Sequence, residues 1–476
     1  MIRCSILDDS DIKRLHAASL RVLEKTGIVV RHDAMLHKLD ENGADVDFQT
    51  KLVKLAEQSI EEFVRRAPKS YTMHGRDPRR ALSVEEGKRY VRTQSGCIYV
   101  LDAQSKECRP ATRDDTATST KLIDALQNID FCGGLLYPTD EIDKARDVGV
   151  FEIMIRNTGK HIAIQPYDVP NLRWMIKMAA TVAGSEEELS RRPMLTAIMA
   201  PSSPLVLDRY AVDIIIESGR ANVPVLIPST PLSGATCPVT LAGELVLAHA
   251  ENLACVVISQ LARPGAPVLY AVHPSTMDMR TGHPLWGSVE FALMSAAGVQ
   301  LGRHCSLPTQ VEAFMTDSKT LDQQTAIERM FTLIPSTLTG ANVLNGAGTI
   351  ETILTGSLEQ LVIDNETHAM VERFLRGIEI NDEMLALDVI DRIGPGGHFL
   401  SADHTKKFYL KEHFVPTLLD RNIRAAWSAA GEKDIVQRAN STVQRILSQH
   451  EPMDMDNDIR KRLDEFMQQA RKDLQR

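Results

Sequence analysis

At 476 residues, 43% hydrophobic and 25% charged, with a formal net charge of −9, the chain can bury one large core and lacks the basic balance expected of a nucleic-acid partner. Its seven cysteines, Cys4, Cys97, Cys108, Cys132, Cys237, Cys255 and Cys305, form no CxxC pair, and the start MIRCSILDDSDIKRL has no apolar h-region, which reads as a reduced cytoplasm. No uninterrupted apolar run approaches the roughly 18 to 20 residues of a spanning helix, so no membrane role is expected.

From Asp11 to Thr26 the apolar positions Ile12, Leu15, Val22 and Leu23 share one helical face, with Asp9 to Asp11 as cap and Gly27 as stop. A second helix is expected over Leu55 to Arg66. The stretch RYVRTQSGCIYVLDA (Arg89 to Ala103) has strand composition broken by Ser95-Gly96, a hairpin signal. Residues 1–115 therefore read as an N-terminal appendage of mixed structure. Beyond it, short apolar runs alternate with helical segments such as Leu205 to Ser218, Leu241 to Ala262, Gly287 to Leu301 and Leu321 to Leu338. The expected strands are Ile129 to Leu136, His161 to Gln165, Met194 to Ala200, Val223 to Ile227, Pro267 to Val272, Ser306 to Phe314, Ala341 to Asn345 and Thr349 to Leu354. Eight alternations predict an α/β fold, a closed (β/α)8 TIM barrel over residues 116–378, with a doubly wound open sheet as the alternative. Residues 379–476 form a C-terminal extension of loops and helices, its charged tail from Glu432 having Val436, Val443 and Ile446 as inner face.

In such a barrel the C-terminal ends of the strands build the active site. Here they are polar and proline-punctuated, as in Gln165-Pro166, Pro228-Ser229-Thr230-Pro231 and His273-Pro274. No HExxH, CxxC or tight His/Cys group beyond His304-Cys305 suggests a metal, and neighbouring side chains on a strand point to opposite faces, so no zinc is expected. No GxSxG marks a nucleophile, and lone cysteines commonly serve as small buried hydrophobes. Two loops stand out. GANVLNGAG places Gly340, Gly346 and Gly348 around a strand, fitting either a tight turn or close backbone approach by a ligand. GPGGHFL (Gly394 to Leu400) fits either a helix C-cap with a buried Phe399 or a loop over the barrel mouth.

The stretch GIEINDEMLALDVIDRIGPGGHFLSADHTKKFYLKEHFVPTLLD (Gly377 to Asp420) resembles the C-terminal signature of the trimethylamine methyltransferase family. The likeness extends through GANVLNGAGTIETILTGSLEQLVIDNE (Gly340 to Glu366) to LHAASLRVLEKTGIVV (Leu15 to Val30). Members acting on trimethylamine carry pyrrolysine; near FMTDSK (Phe314 to Lys319) this chain has only ordinary residues. It is thus similar to the non-pyrrolysine branch, typified by glycine betaine:corrinoid methyltransferases.

The resemblance implies methyl transfer from a small quaternary amine to cobalamin on a separate corrinoid protein, and it leaves room for a homo-oligomer. On that reading Asn345, Gly346 and Gly348 would face the corrin ring. A quaternary nitrogen has no N–H, so aromatic faces and diffuse negative charge must hold it. Tyr99, Phe131, Tyr137, Phe314 and Phe399 are candidates that could equally be core, and Glu312 could add charge or form an ordinary salt bridge. For a betaine carboxylate the donors are His273, Arg280, His283 and Arg303, with Gln165, Gln310 and Asn345 as neutral groups, and a GPGGHFL loop over the mouth would place His398 and Phe399 toward substrate. Competing classes are a barrel lyase or aldolase acting on a small acid, although the strand ends offer no Schiff-base lysine, and a corrinoid- or betaine-binding protein without turnover.

Overall fold

A computed structural model of the chain describes residues 2, 4–103, 105–140 and 144–475. Its central sheet is parallel, in the order Tyr90–Thr93, Val343–Ala347, Thr309–Glu312, Val268–Val272, Val225–Ser229, Leu195–Ile198, Ile162–Ile164. Parallel bridges from Arg92 to Phe131 and from Cys132 to Ile162 insert one more short strand between the two ends. The sheet therefore closes into an eight-stranded barrel. Helices Arg113–Ala125, Arg146–Asn157, Val169–Ala183, Arg209–Ala221, Leu241–Ala262, Val289–His304, Gln323–Leu338 and Leu358–Leu375 follow the eight strands in turn, completing a (β/α)8 barrel.

Strand alternation divides the core in two. Val91, Ile162, Leu195, Val225, Tyr270 and Leu344 point outward under the helices. Phe131, Ala163, Leu226, Leu269, Ala271 and Val343 fill the lumen together with Met73 and Val84, which come from a hairpin pairing Tyr71–Met73 with Leu82–Val84. That hairpin plugs the barrel floor, opposite the mouth at the C-terminal ends of the strands.

Two expectations about the barrel fail, for local reasons. The first barrel strand is Tyr90–Thr93, which pairs in parallel with Val343–Ala347 instead of folding back on Tyr99–Leu101. The barrel thus begins about residue 90, within the segment expected to be appendage. Conversely Thr349 to Leu354 is not a barrel strand. Gly346 (φ 112°) and Gly348 (φ 86°) turn the chain out of the sheet, and Glu351, Thr352 and Ile353 all adopt left-handed φ, making the turn of a rim hairpin that pairs Thr349–Ile350 with Thr355–Gly356.

In the appendage, helix Asp9–Arg21 is capped by the Asp8 side chain, and the chain turns at Gly27 (φ 82°). It packs on helices Leu241–Ala262 and Val289–His304. Helix Leu241–Ala262 is long and apolar enough to cross a membrane by composition alone, yet 72% of its most apolar window is buried inside the protein. The C-terminal tail divides into two helices around Pro452. Ile435–Gln449 packs on Leu358–Leu375, with Val443 buried and Val436 and Ile446 half-buried, and Asn457–Leu474 packs on Val169–Ala183.

Candidate functional site at the barrel mouth

Period-2 alternation carries polar side chains into the lumen above its apolar layer. Arg92 lies one pleat above Tyr90 on the first strand, Gln310 and Glu312 share the inner face of the seventh, and Asn345 lies above Val343 on the eighth. His273 follows directly on the sixth strand, whose Ala271 is in register with Gln310. Each of these five side chains belongs to a residue no more than 5% exposed.

Asn345 is the hub. Its Oδ1 accepts from Arg92 Nε at 2.9 Å, and its Nδ2 donates to Glu312 Oε1 and Oε2 at 2.7 and 2.8 Å and to Gln94 Oε1. One neutral amide thereby separates a buried guanidinium from a buried carboxylate while bonding both. His273 Nδ1 lies 3.1 Å from Glu312 Oε1, and Gln310 Nε2 lies 3.4 Å from His273 Nε2. A neutral imidazole donating to Glu312 and accepting from Gln310 satisfies this arrangement.

Burial governs the charge states. It pushes the Glu312 carboxyl up to about 7, although Arg92 and the Asn345 hydrogen bond pull the other way. His273 is driven down to about 3 by burial and then by the Arg92 charge, so it is neutral near pH 7. Arg92 falls to about 10 through burial, opposed by Glu312, and stays cationic. Of Glu312, His273 and Arg92, Glu312 is the one that changes charge near neutrality.

Two buried polar atoms here have no hydrogen-bond partner, Arg92 Nη1 and Gln310 Oε1. Leaving a buried donor or acceptor unmet costs about 1 to 3 kcal/mol each. An unmet donor and an unmet acceptor within one buried charged cluster are what a polar ligand would use.

The expected site residues distribute unevenly around this centre. His273, Gln310, Glu312 and Asn345 converge, and Tyr137, buried, lies near enough to act on the Arg92 charge. Gln165 is exposed on the rim, and Tyr99 is 37% exposed in the rim sheet beside Thr355. Phe131 belongs to the apolar lumen layer, edge-on to His161 at 5.8 Å. Phe314, two residues past Glu312, is fully buried in the core, with the Arg329 guanidinium 5.8 Å from its ring centre.

Gly346 and Gly348 are wholly buried and form no open rim. A Cβ on Gly346 would sit 2.4 Å from Met315 Cε and one on Gly348 would sit 2.8 Å from Leu135 Cδ2, so they serve the chain reversal. His398 and Phe399 are exposed on an arm that leaves the barrel after helix Leu358–Leu375, at the floor, where Arg89 just before the first strand bonds Glu372. The arm rejoins the same end, where Arg373 bonds the Glu412 carbonyl. Arg303 also points elsewhere, to Glu86 and the Thr339 carbonyl, and Arg280 is exposed beside Asp278.

Arg92 and Gln94 are not among the sequence candidates, because Arg89 to Ala103 reads as a hairpin broken at Ser95-Gly96. Their signal is nonetheless present: Tyr90, Arg92 and Gln94 alternate with Val91 and Thr93, the pattern of a strand with one polar inner face.

A closed, floor-plugged barrel with a charged side-chain cluster at the C-terminal ends of its strands is the construction of a barrel enzyme. The family model described as trimethylamine methyltransferase (MTTB) matches residues 1–475, and the chain belongs to that family. It is 36% identical to trimethylamine methyltransferase MttB of Desulfitobacterium hafniense (strain DSM 10664 / DCB-2), over 93% of this chain and 89% of that protein. It is 30% identical to glycine betaine methyltransferase of Desulfitobacterium hafniense (strain Y51), over 99% of this chain and 98% of that one. Among solved structures it resembles the Methanosarcina barkeri monomethylamine methyltransferase (MtmB), with a TM-score of 0.50 at 13% identity over 94% of this chain and 95% of the other, a likeness of fold.

Proposed function

We propose that the protein transfers a methyl group from a small quaternary amine, with glycine betaine as the reference substrate, to Co(I) cobalamin presented by a separate corrinoid protein. The observation that carries this reading is the pairing of Arg92, with its open Nη1, and Glu312 on the single amide of Asn345. A betaine is a zwitterion, and this cluster offers a guanidinium for its carboxylate and an ionisable carboxylate for its permanent cation. Neutral trimethylamine would leave Arg92 unused. Family membership supports methyl transfer from a methylamine-type donor, and the sequence has ordinary residues where members acting on trimethylamine carry pyrrolysine.

The chain's own residues orient the substrate and keep water out. Asn345 fixes the two charges relative to each other, His273 and Gln310 hold Glu312 from the lumen side, and the hairpin floor closes the far end. As the C–N bond breaks, its electron pair stays on nitrogen and the product amine leaves neutral, so no enzyme acid is required. The cobalt supplies the nucleophile. Positive charge on nitrogen falls in the transition state, so a single carboxylate that titrates near neutrality suits the chemistry better than a deep aromatic box.

An aldolase reading is disfavoured by Lys160, a buried lysine preceding the third strand. Its Nζ donates to the carbonyls of Ile123, Leu126 and Ile129 at the end away from the mouth. The test is a substrate panel with Co(I) cobalamin, read as loss of the Co(I) absorption spectrum. Glycine betaine or a related quaternary betaine should be used, whereas trimethylamine and dimethylglycine should be poor donors. If trimethylamine outpaces every quaternary amine, the assignment is wrong; if betaine binds without methylating cobalt, the protein is a binder.

A further inference from the structure

Outside the barrel, between the N-terminal appendage and two barrel helices, lies a cluster that the mouth chemistry does not use. His16 comes from helix Asp9–Arg21, His249 from helix Leu241–Ala262, and Cys305 caps helix Val289–His304. His16 Nδ1 and His249 Nε2 are 2.8 Å apart, Cys305 Sγ is 4.0 Å from His16 Nδ1, and the three donor atoms lie within 4.8 Å of one another. His249 is fully buried, His16 nearly so, and Cys305 partly.

The outer nitrogens are also accounted for. His16 Nε2 is 2.7 Å from Glu61 Oε1, and His249 Nδ1 is 2.8 Å from the Tyr270 hydroxyl. A carboxylate or hydroxyl on the far nitrogen of an imidazole fixes ring and tautomer so that the near nitrogen presents its lone pair, the arrangement that surrounds metal-bound histidines. We propose that His16, His249 and Cys305 hold a zinc ion that fastens the N-terminal appendage to the barrel, with Glu61 and Tyr270 as the outer partners.

Zn–N bonds of about 2.0 to 2.1 Å and a Zn–S bond of about 2.3 Å in tetrahedral geometry place the two nitrogens about 3.3 Å apart and nitrogen and sulfur about 3.6 Å apart. The cluster needs to open by about half an ångström between the imidazoles, and sulfur has to close by about half an ångström on His16 and by up to about 1.2 Å on His249. Two imidazoles and a thiolate suit zinc. On binding, the Cys305 thiol loses its proton to solvent, both imidazoles stay neutral, and the Tyr270 hydroxyl turns to accept from His249 Nδ1–H. Water completes the fourth position, or His304, whose ring centre is 4.9 Å from that of His16.

The competing arrangement is a metal-free proton chain, Tyr270 to His249 to His16 to Glu61, and the experiment separates the two. The full-length protein, purified without chelators, is analysed for metal by mass spectrometry, then stripped and titrated with Zn(II) and Co(II). About one zinc per chain is expected, with a melting temperature that drops on stripping and recovers on zinc addition. The Co(II) form should show sulfur-to-cobalt charge-transfer absorption that Cys305→Ser abolishes. Glu61→Gln alters only a half-exposed outer partner, so folding is preserved, and it should weaken zinc affinity about 10- to 100-fold. No retained metal together with no response of the melting temperature to Zn(II) overturns the proposal in favour of the proton chain. Equal metal content and an unchanged Co(II) spectrum in Cys305→Ser overturn it as well. Neither readout depends on methyl transfer.

Discussion

Replacing Glu312 with Gln isolates the member of the Arg92, His273, Gln310, Glu312 and Asn345 cluster that titrates near neutral pH. In the unfolded chain the carboxyl has its ordinary value of about 4.5, and burial in the folded protein raises it to about 7. Between those values the folded state keeps a proton that the unfolded state has released, so stability falls as pH rises through this window and is level above it. The difference corresponds to about 3 kcal/mol. Gln keeps an acceptor for Asn345 but cannot ionise. The variant should therefore match the wild type in stability at pH 5 and exceed it by about 1 to 3 kcal/mol at pH 8, measured by urea unfolding at each pH. His273, depressed to about 3, contributes the opposite slope, with stability lost as pH falls below about 6.5, but it is present in both proteins and cancels from the difference. The same substitution should weaken betaine binding at pH 8 at least about tenfold in calorimetry, equivalent to about 1.4 kcal/mol. A stability difference that stays constant from pH 5 to pH 8 would refute the reasoning, because it would mean that Glu312 does not titrate there.

Two further outcomes are expected. Asn345→Ala removes the amide that bonds both Arg92 and Glu312, leaving two buried charged groups short of partners, and should cost about 3 to 5 kcal/mol in denaturant unfolding; a loss under about 1 kcal/mol would show that water replaces the amide freely. Gly346→Ala should cost about 1 to 3 kcal/mol from its φ of 112°, and adding Met315→Ala should not restore the loss, because a flexible methionine end can move aside while the backbone angle cannot; full recovery in the double variant would assign the cost to crowding.

Local pattern carried much of this protein. Apolar runs of strand length separated by amphipathic helices specified a parallel α/β barrel, and seven of its eight strands were visible because a strand buried on both faces needs a short apolar core wherever it sits. His273, Gln310, Glu312 and Asn345 were legible as polar groups at strand ends, and the motifs after Gly340 marked the family. What the sequence could not decide was which strand closes the barrel. Tyr90–Thr93 and Thr349 to Leu354 have similar composition, and the choice rests on left-handed backbone at Gly346, Gly348 and residues 351–353 and on pairing across some 250 residues of chain. With that choice came Arg92, and with it the charge balance of the mouth. The glycine-rich GPGGHFL loop shows the converse: its composition suits a lid, but the direction of helix Leu358–Leu375 delivers it to the barrel floor. The cluster of His16, His249 and Cys305 was equally invisible, because its members are brought together by helix packing from residues far apart in the chain and show none of the close paired spacing by which a sequence announces a metal site.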